Sequence, residues 1–324
     1  MAHAIRMHST GGPEVLVYEE VALGDPGPNE VRLRHTAIGL NYIDTYHRSG
    51  LYPLPMPATI GSEAAGVVEA VGPGVTWLKR GDRVAYSGGP PGSYATERVM
   101  SAERLVKIPE GIDDTTAATL MLKGLTVQYL FRQTYALKGG ETILFHAAAG
   151  GVGLIACQWA RALGVTLIGT VGNDDKATLA KANGCAHTIV YTREDFVART
   201  KELTGGKGVP VVYDSVGKDT FMQSLDCLMP RGLLVVYGNA SGPVSAFNLG
   251  VLAQKGSLYV TRPTLVTYTS SREAITAMAK DVFDLVLAGK IKSEARQQYP
   301  LREAAAAHRA LESRVTTGAT VLLP

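Results

Sequence analysis

The chain has 324 residues, a hydrophobic share of 46%, a charged share of 19% and 36 glycines. That length exceeds one ordinary domain and suits two, and the glycine content fits an α/β protein with many tight turns better than a helical bundle. Net charge is +3, but Lys and Arg are scattered among Asp and Glu with no basic stripe, so no nucleic-acid partner is expected.

Residues 1-123 carry short alternating runs such as Val31-Arg-Leu-Arg-His-Thr-Ala and Gly66-Val-Val-Glu-Ala-Val, cut by turns like Gly24-Asp-Pro-Gly-Pro and Val71-Gly-Pro-Gly. Period-2 alternation broken by Gly-Pro turns predicts a mainly β, barrel-like domain. The opening stretch to Glu20 lacks the basic end and apolar run of a signal peptide, and no run of about 18 apolar residues occurs after it, so a cytoplasmic protein with no membrane partner is expected. Cys157, Cys185 and Cys227 are widely spaced without any C-x-x-C, which predicts buried core thiols rather than a disulfide framework or a cysteine zinc site.

In residues 124-264 the rhythm changes to strand-like runs alternating with amphipathic helices, the pattern of a doubly wound parallel sheet. Ile143-Leu-Phe-His, Thr166-Leu-Ile-Gly-Thr-Val, Thr188-Ile-Val-Tyr, Val211-Val-Tyr-Asp, Leu233-Leu-Val-Val-Tyr and Ser257-Leu-Tyr-Val read as its strands. The apolar edge run from Ser257 to Thr261 predicts a homodimer paired through that sheet edge. Residues 265-324 are expected to complete the first domain. They open on a long helix capped by Ser270 with Glu273 and stopping at Gly289, then carry a helix near Leu301 to Leu311 and a strand near Ala319 to Leu323.

His146-Ala-Ala-Ala-Gly-Gly-Val-Gly lies between a predicted strand and a predicted helix, where backbone amides at a helix N-terminus cradle a pyrophosphate. Against G-x-G-x-x-G, Gly150 and Gly153 match and Ala148 replaces the first glycine. An NAD enzyme places Asp or Glu about 20 residues further on to hold the ribose diol. Here the second strand ends at Gly172-Asn173, without bulk or negative charge, and Lys176 lies within reach of a 2′-phosphate, which favours NADPH. Asp174 and Asp175 could take the acidic role; otherwise they are N-cap and first-turn residues of the next helix.

With these features the sequence resembles the quinone oxidoreductase branch of the medium-chain dehydrogenase/reductase superfamily, over essentially its whole length. The resemblance rests on Gly39-Leu-Asn-Tyr-Ile-Asp-Thr-Tyr, Arg48-Ser-Gly-Leu-Tyr-Pro, Gly61-Ser-Glu-Ala-Ala-Gly-Val-Val, Gly81-Asp-Arg-Val, Lys123-Gly-Leu-Thr, the loop Ala147 to Gly153, Tyr213-Asp-Ser-Val-Gly and Gly238-Asn. It implies an α/β fold, with a doubly wound Rossmann domain beside a GroES-like, mainly β catalytic domain, and NADPH lying in the cleft between them. By the same resemblance Asn41, Tyr46 and Thr126 surround the nicotinamide, and Tyr129, Gly151 and Val152 contact the middle of the cofactor. Gly172, Asn173, Lys176, Tyr191 and Arg314 gather at the adenosine end, while Ser215, Gly238, Asn239 and Ser241 line the rest of the groove.

Zinc alcohol dehydrogenases of that superfamily carry Gly-His-Glu where this chain reads Gly61-Ser62-Glu63, and no cysteine precedes Cys157, so no metal is expected. His35 and His47, without a third ligand, are assigned to packing. A quinone accepts hydride directly and spreads the developing charge over a conjugated system, so positioning and hydrogen bonds suffice. The expected activity is NADPH:quinone reduction, with the acceptor near Tyr46 and Tyr52 and with Tyr46 or a water supplying the proton near Asn41. Two rivals stand beside it: an NADPH-dependent enone or alkene reductase, and a non-catalytic RNA-binding or structural role.

Overall fold

A computed structural model describes the whole chain, Met1–Pro324. The chain divides into two compact units, one formed by Met1–Leu125, Tyr268–Gly289 and Ser293–Pro324, the other by Thr126–Thr267 with Lys290–Lys292. The last three residues join the second unit through Gln158, whose side chain accepts from the Lys292 amide at 2.8 Å and donates to the Lys292 carbonyl at 3.0 Å.

The first unit begins with β1 (Ala2–Met7), β2 (Val17–Val21), β3 (Glu30–Leu40), α1 (Tyr42–Ser49), β4 (Ala58–Thr59), β5 (Glu63–Val71), β6 (Arg83–Ser87), β7 (Glu97–Ser101), β8 (Leu105–Lys107) and α2 (Asp114–Tyr129), inside which the unit boundary falls. Strands β2, β1 and β4 form one antiparallel sheet. In β3 the buried Val31 and Leu33 alternate with the outward Arg32 and Arg34, as a strand with one solvated face requires, whereas Ala37 to Leu40 are buried throughout. The buried residues Ile5, Leu33, Val68, Tyr86, Tyr94 and Leu322 belong to one hydrophobic cluster.

The second unit contains β9 (Thr142–Phe145), α3 (Gly151–Leu163), β10 (Thr166–Val171), α4 (Asp174–Ala182), β11 (His187–Val190), α5 (Phe196–Leu203), β12 (Val209–Asp214), α6 (Phe221–Asp226), β13 (Leu228–Val236), α7 (Gly250–Gln254), β14 (Tyr259–Thr261) and all but the last residue of α8 (Leu265–Tyr268). All neighbouring strands run parallel, in the order β11-β10-β9-β12-β13-β14. This is the doubly wound order, and the strand sequence reverses between β9 and β12, where such sheets bind ligands at their carboxyl ends. Ile143, Leu144, Phe145, Val211, Val212 and Tyr213 are fully buried, so the central strands read as continuous apolar runs.

The chain closes with α9 (Arg272–Leu287), β15 (Ala295–Pro300), α10 (Ala304–Glu312) and β16 (Ala319–Leu323), all in the first unit. Strand β16 pairs antiparallel with β3 and parallel with β15, extending the large sheet β15-β16-β3-β5-β6-β8, with β7 also on β3. Two details correct the sequence reading. The cap of α9 is Ser271, not Ser270: its backbone is extended and its hydroxyl accepts from the Ala274 amide at 3.2 Å. Strand β15 was not expected, because Ala-Arg-Gln-Gln-Tyr-Pro is a polar edge strand without an apolar signature.

Candidate active site

The glycine loop takes its shape from the turn at the end of β9. His146 leaves the strand, Ala147 takes a left-handed conformation, the Ala148 amide donates to Thr170 O at 3.0 Å, and the Gly150 amide turns back to Ala147 O at 2.9 Å. Gly150 is the N-cap of α3 and supplies no side-chain cap, so no side-chain cap covers the first-turn amides of Gly151, Val152 and Gly153. A helix N-terminus of this kind fits an anionic phosphate group. Glycine at 153 is required by packing: a Cβ there would stand 2.3 Å from Ala147 O.

Beneath this loop lies a buried polar network that the sequence did not reveal. Asp214, at the end of β12, accepts from the Val216 and Gly217 amides through Oδ1 and from Thr220 Oγ1 and Ser224 Oγ through Oδ2, at 2.7 to 3.1 Å. Because the Ser224 hydroxyl donates to Asp214, it accepts from His146 Nε2 at 2.9 Å, which leaves Nδ1 to accept from Thr170 Oγ1 at 2.9 Å. Burial lowers the His146 pKa despite the nearby Asp214 charge, in keeping with a neutral ring. One carboxylate thus anchors both the loop after β9 and the turn after β12.

The expected cofactor contacts of this unit distribute along these strand ends. Gly172 comes just after β10, and a Cβ there would stand 3.2 Å from the Tyr191 hydroxyl, so glycine leaves that aromatic its place beside the chain. The N-cap of α4 is Asn173, whose Oδ1 accepts from the Lys176 amide at 2.9 Å. This corrects the N-cap role considered for Asp174 and Asp175, which occupy the first turn. Tyr191 stands just past β11 and is exposed. The Ser241 hydroxyl donates to Val216 O at 2.9 Å and accepts from the Asp219 amide at 3.0 Å, so it tethers the turn that carries Ser215. Gly238 packs against Ser215, leaving no room for a Cβ, and Asn239 is next to it in the loop after β13. Thr126 and Tyr129 are buried on the last turn of α2. Arg314 lies in the first unit, just beyond α10, with a positive φ.

In the first unit Asn41 caps α1, and Asp44 at the third helical position reaches back to the Asn41 amide at 2.9 Å. The Asn41 side-chain amide donates to Glu63 Oε2 at 2.8 Å and to Gly39 O at 3.3 Å, so both its protons are committed, and its oxygen faces the Asp44 backbone amide in the capping box. Glu63 is completely buried and also receives the Leu122 amide at 2.6 Å and Lys123 Nζ at 2.9 Å. Ser62 donates to Asp44 Oδ1 at 3.2 Å. Tyr46 and Tyr52, on and just after α1, meet edge to face with ring centroids 5.3 Å apart, and the Tyr52 amide is held by Tyr46 O at 3.0 Å.

A one-way chain of hydrogen bonds leads from Asp44 to α10. Arg48 can only donate, so His308 Nδ1 accepts from it at 3.0 Å, His308 Nε2–H donates to the Tyr94 hydroxyl at 3.0 Å, and Tyr94 donates to Asp44 Oδ2 at 3.0 Å. Arg48 is pinned by a bidentate pair with Glu312 at 2.7 and 2.9 Å. Burial, helped by the Arg48 charge, brings His308 down to about 3, and burial pushes the Asp44 carboxyl up to about 7. His35 is also brought to about 3, buried against Ala95 O and the Tyr86 hydroxyl, and His47 is buried beside the Tyr52 ring. All three cysteines are free and buried.

A doubly wound unit with an uncapped glycine loop at its switch point, together with a mainly antiparallel unit that buries Asn41, Glu63 and Lys123, defines a medium-chain dehydrogenase/reductase. Family models agree: an alcohol dehydrogenase GroES-like domain matches residues 27–110 and a zinc-binding dehydrogenase domain matches 151–282. Over the full length of both chains, this one is 61% identical to a quinone oxidoreductase of Pseudomonas aeruginosa. It is also 51% identical to a 2-haloacrylate reductase of a Burkholderia species, across all of this chain and 99% of that one. A crystal structure of Escherichia coli quinone oxidoreductase complexed with NADPH superimposes with a TM-score of 0.98 at 52% identity, covering 99% of this chain and 100% of that chain. The chain belongs to the quinone oxidoreductase family.

The zinc implied by the name of the second domain model does not fit these residues. The Glu63 oxygens are taken by Leu122, Lys123 and Asn41, the positive charge beside them is the Lys123 ammonium, and no group of three or more His, Cys, Asp or Glu could hold a metal ion. No helix is long and apolar enough to cross a membrane.

Proposed function

We propose that the chain reduces quinones at the expense of NADPH, as an NADPH:quinone oxidoreductase of the cytoplasm. The observation that carries this is the glycine turn ahead of α3, whose first-turn amides no side-chain cap covers. Bound there, NADPH supplies the hydride. Gly150, Gly151 and Val152 would hold its phosphates, and Ser215, Gly238, Asn239 and Ser241 the neighbouring groove. Gly172, Asn173, Lys176, Tyr191 and Arg314 would hold the adenosine end. Thr126 and Asn41 would lie at the nicotinamide, and Tyr129 at the middle of the cofactor. Tyr46 and Tyr52 supply flat apolar walls for a planar acceptor, and the Tyr46 hydroxyl or a water supplies the proton.

NADPH oxidation measured side by side with 1,4-benzoquinone, 1,2-naphthoquinone, a simple enone and a 2-haloacrylate tests the reading. The quinones are expected to be the better acceptors; turnover confined to the enone or the haloacrylate would replace it with the alkene-reductase reading that the Burkholderia relative favours. Tyr52→Ala is expected to change the relative kcat/KM among acceptors by about fivefold to tenfold, the worth of one aromatic contact, while NADPH affinity stays within about twofold. Equal losses for acceptor and cofactor would contradict the placement of Tyr52.

A homodimer through β14 is part of the same proposal. That strand ends the six-stranded sheet, and Tyr259 on it is 60% exposed. Pairing with a second copy would cover an unprotected edge. Sedimentation velocity should show wild-type dimers and Tyr259→Lys monomers; a monomeric wild type at micromolar concentration would refute this interface.

A further inference from the structure

About 20 positions beyond the glycine loop, where a carboxylate in an NAD enzyme holds the ribose diol and repels a 2′-phosphate, this chain carries Asp174. Its charge argues for NADH, against Lys176 two residues later. The structure shows how that carboxylate is occupied. Arg193 grips it fork to fork, Nη2 to Oδ1 at 2.6 Å and Nη1 to Oδ2 at 2.7 Å.

Arg193 reaches Asp174 because the ends of β10 and β11 are stitched together. The Tyr191 amide donates to Val171 O at 3.1 Å, the Thr192 hydroxyl donates to Gly172 O at 3.1 Å, and the Arg193 amide turns back to Val190 O at 3.0 Å. On the other side Asn173 caps α4 and fixes Asp174 in its first turn. Both partners are exposed, at 56% for Arg193 and 72% for Asp174, so the pair contributes little to folding. Its effect on a charged ligand is different in kind: the Arg193 guanidinium offsets the Asp174 charge in a helix turn that also carries Asp175 and Lys176.

We infer that Arg193 is a specificity-determining residue, which makes the pocket select a 2′-phosphorylated dinucleotide by neutralising Asp174. This rests on the NADPH reading above. Asp174 is an exposed carboxylate, ionised at neutral pH with or without its partner, so its charge becomes repulsive to a phosphate once Arg193 is removed.

The test compares Arg193→Ala, Asp174→Ala and the double variant, using calorimetric binding of 2′,5′-ADP against 5′-AMP alongside KM values for NADPH and NADH. Arg193→Ala is expected to weaken 2′,5′-ADP about tenfold at low salt while leaving 5′-AMP unchanged, a loss that shrinks as salt is raised. The double variant should return to within about threefold of wild type, because the repulsive charge leaves with its partner. Equal loss for both nucleotides, or a double variant as weak as Arg193→Ala, would overturn the inference; the latter would mean that Arg193 touches the phosphate itself. Wild-type protein that does not distinguish 2′,5′-ADP from 5′-AMP would remove the NADPH reading, and this inference with it.

Discussion

Lys123→Met is expected to destabilise the protein by about 3 to 5 kcal/mol in urea denaturation, the cost of leaving a buried charge without its counter-ion. Glu63 is fully buried and Lys123 is 4% exposed, so water cannot replace the lost ammonium. What stays on Glu63 is the Leu122 amide and the Asn41 side chain, two dipoles against a full charge. The double variant Glu63→Gln with Lys123→Met removes both charges and should recover most of the loss, because a neutral pair carries no ionic desolvation cost. A double variant as unstable as the single would show that packing of the lysine stem, not its charge, holds this site together.

The second large effect is a pH dependence centred on Asp44. Its carboxyl is raised from 3.8 to about 7, chiefly by burial, against the opposing influence of the Asn41 amide, the Tyr94 hydroxyl, the Lys123 charge and the Ser62 hydroxyl. The folded state therefore binds a proton more tightly than the unfolded chain. The stability this confers is full below about pH 4 and is lost as pH rises through about 7, on the order of 4 kcal/mol across the window. The neutral histidines His35 and His308 act in the opposite sense. Held at about 3 in the fold, they contribute stability above their ordinary 6.5 that is lost as pH falls. Comparing wild type with Asp44→Asn isolates the carboxyl. Asparagine imitates the protonated acid, with the Ser62 hydroxyl turning to accept from its amide. The stability difference between the two proteins should move in favour of Asp44→Asn by several kcal/mol from pH 4 to pH 8; a constant difference would show that Asp44 does not titrate there.

The second unit was the more legible in sequence, for a physical reason. Its strands are buried on both faces and separated by helices, so Val211-Val-Tyr and Leu233-Leu-Val-Val stand out as apolar runs at the right spacing, and the glycine turn ahead of α3 declares itself. Local signals that differ by one residue were misread: Ser270 and Ser271 are both competent caps, and only the extended backbone at Ser271 decides between them. The polar interior was not legible. Glu63 and Lys123 lie 60 residues apart, and His146 and Ser224 lie 78 apart, so nothing local marks them as partners. Lysine and glutamate are ordinarily surface residues, and only their position among Ala64, Ala65, Leu120 and Met121 hints at burial. Arg193 was missed likewise, because its bond to Asp174 spans two strand ends.

The Asp214 carboxylate also constrains how this pocket can be re-engineered. Because one side chain fastens the turn after its own strand and, through Ser224 and His146, the segment leading into the glycine turn, the two loops share a single mooring. Grafting either loop alone from another dehydrogenase would strand half of that mooring in the interior. A successful chimera must therefore transplant both loops with Asp214, Ser224, His146 and Thr170 as one cassette.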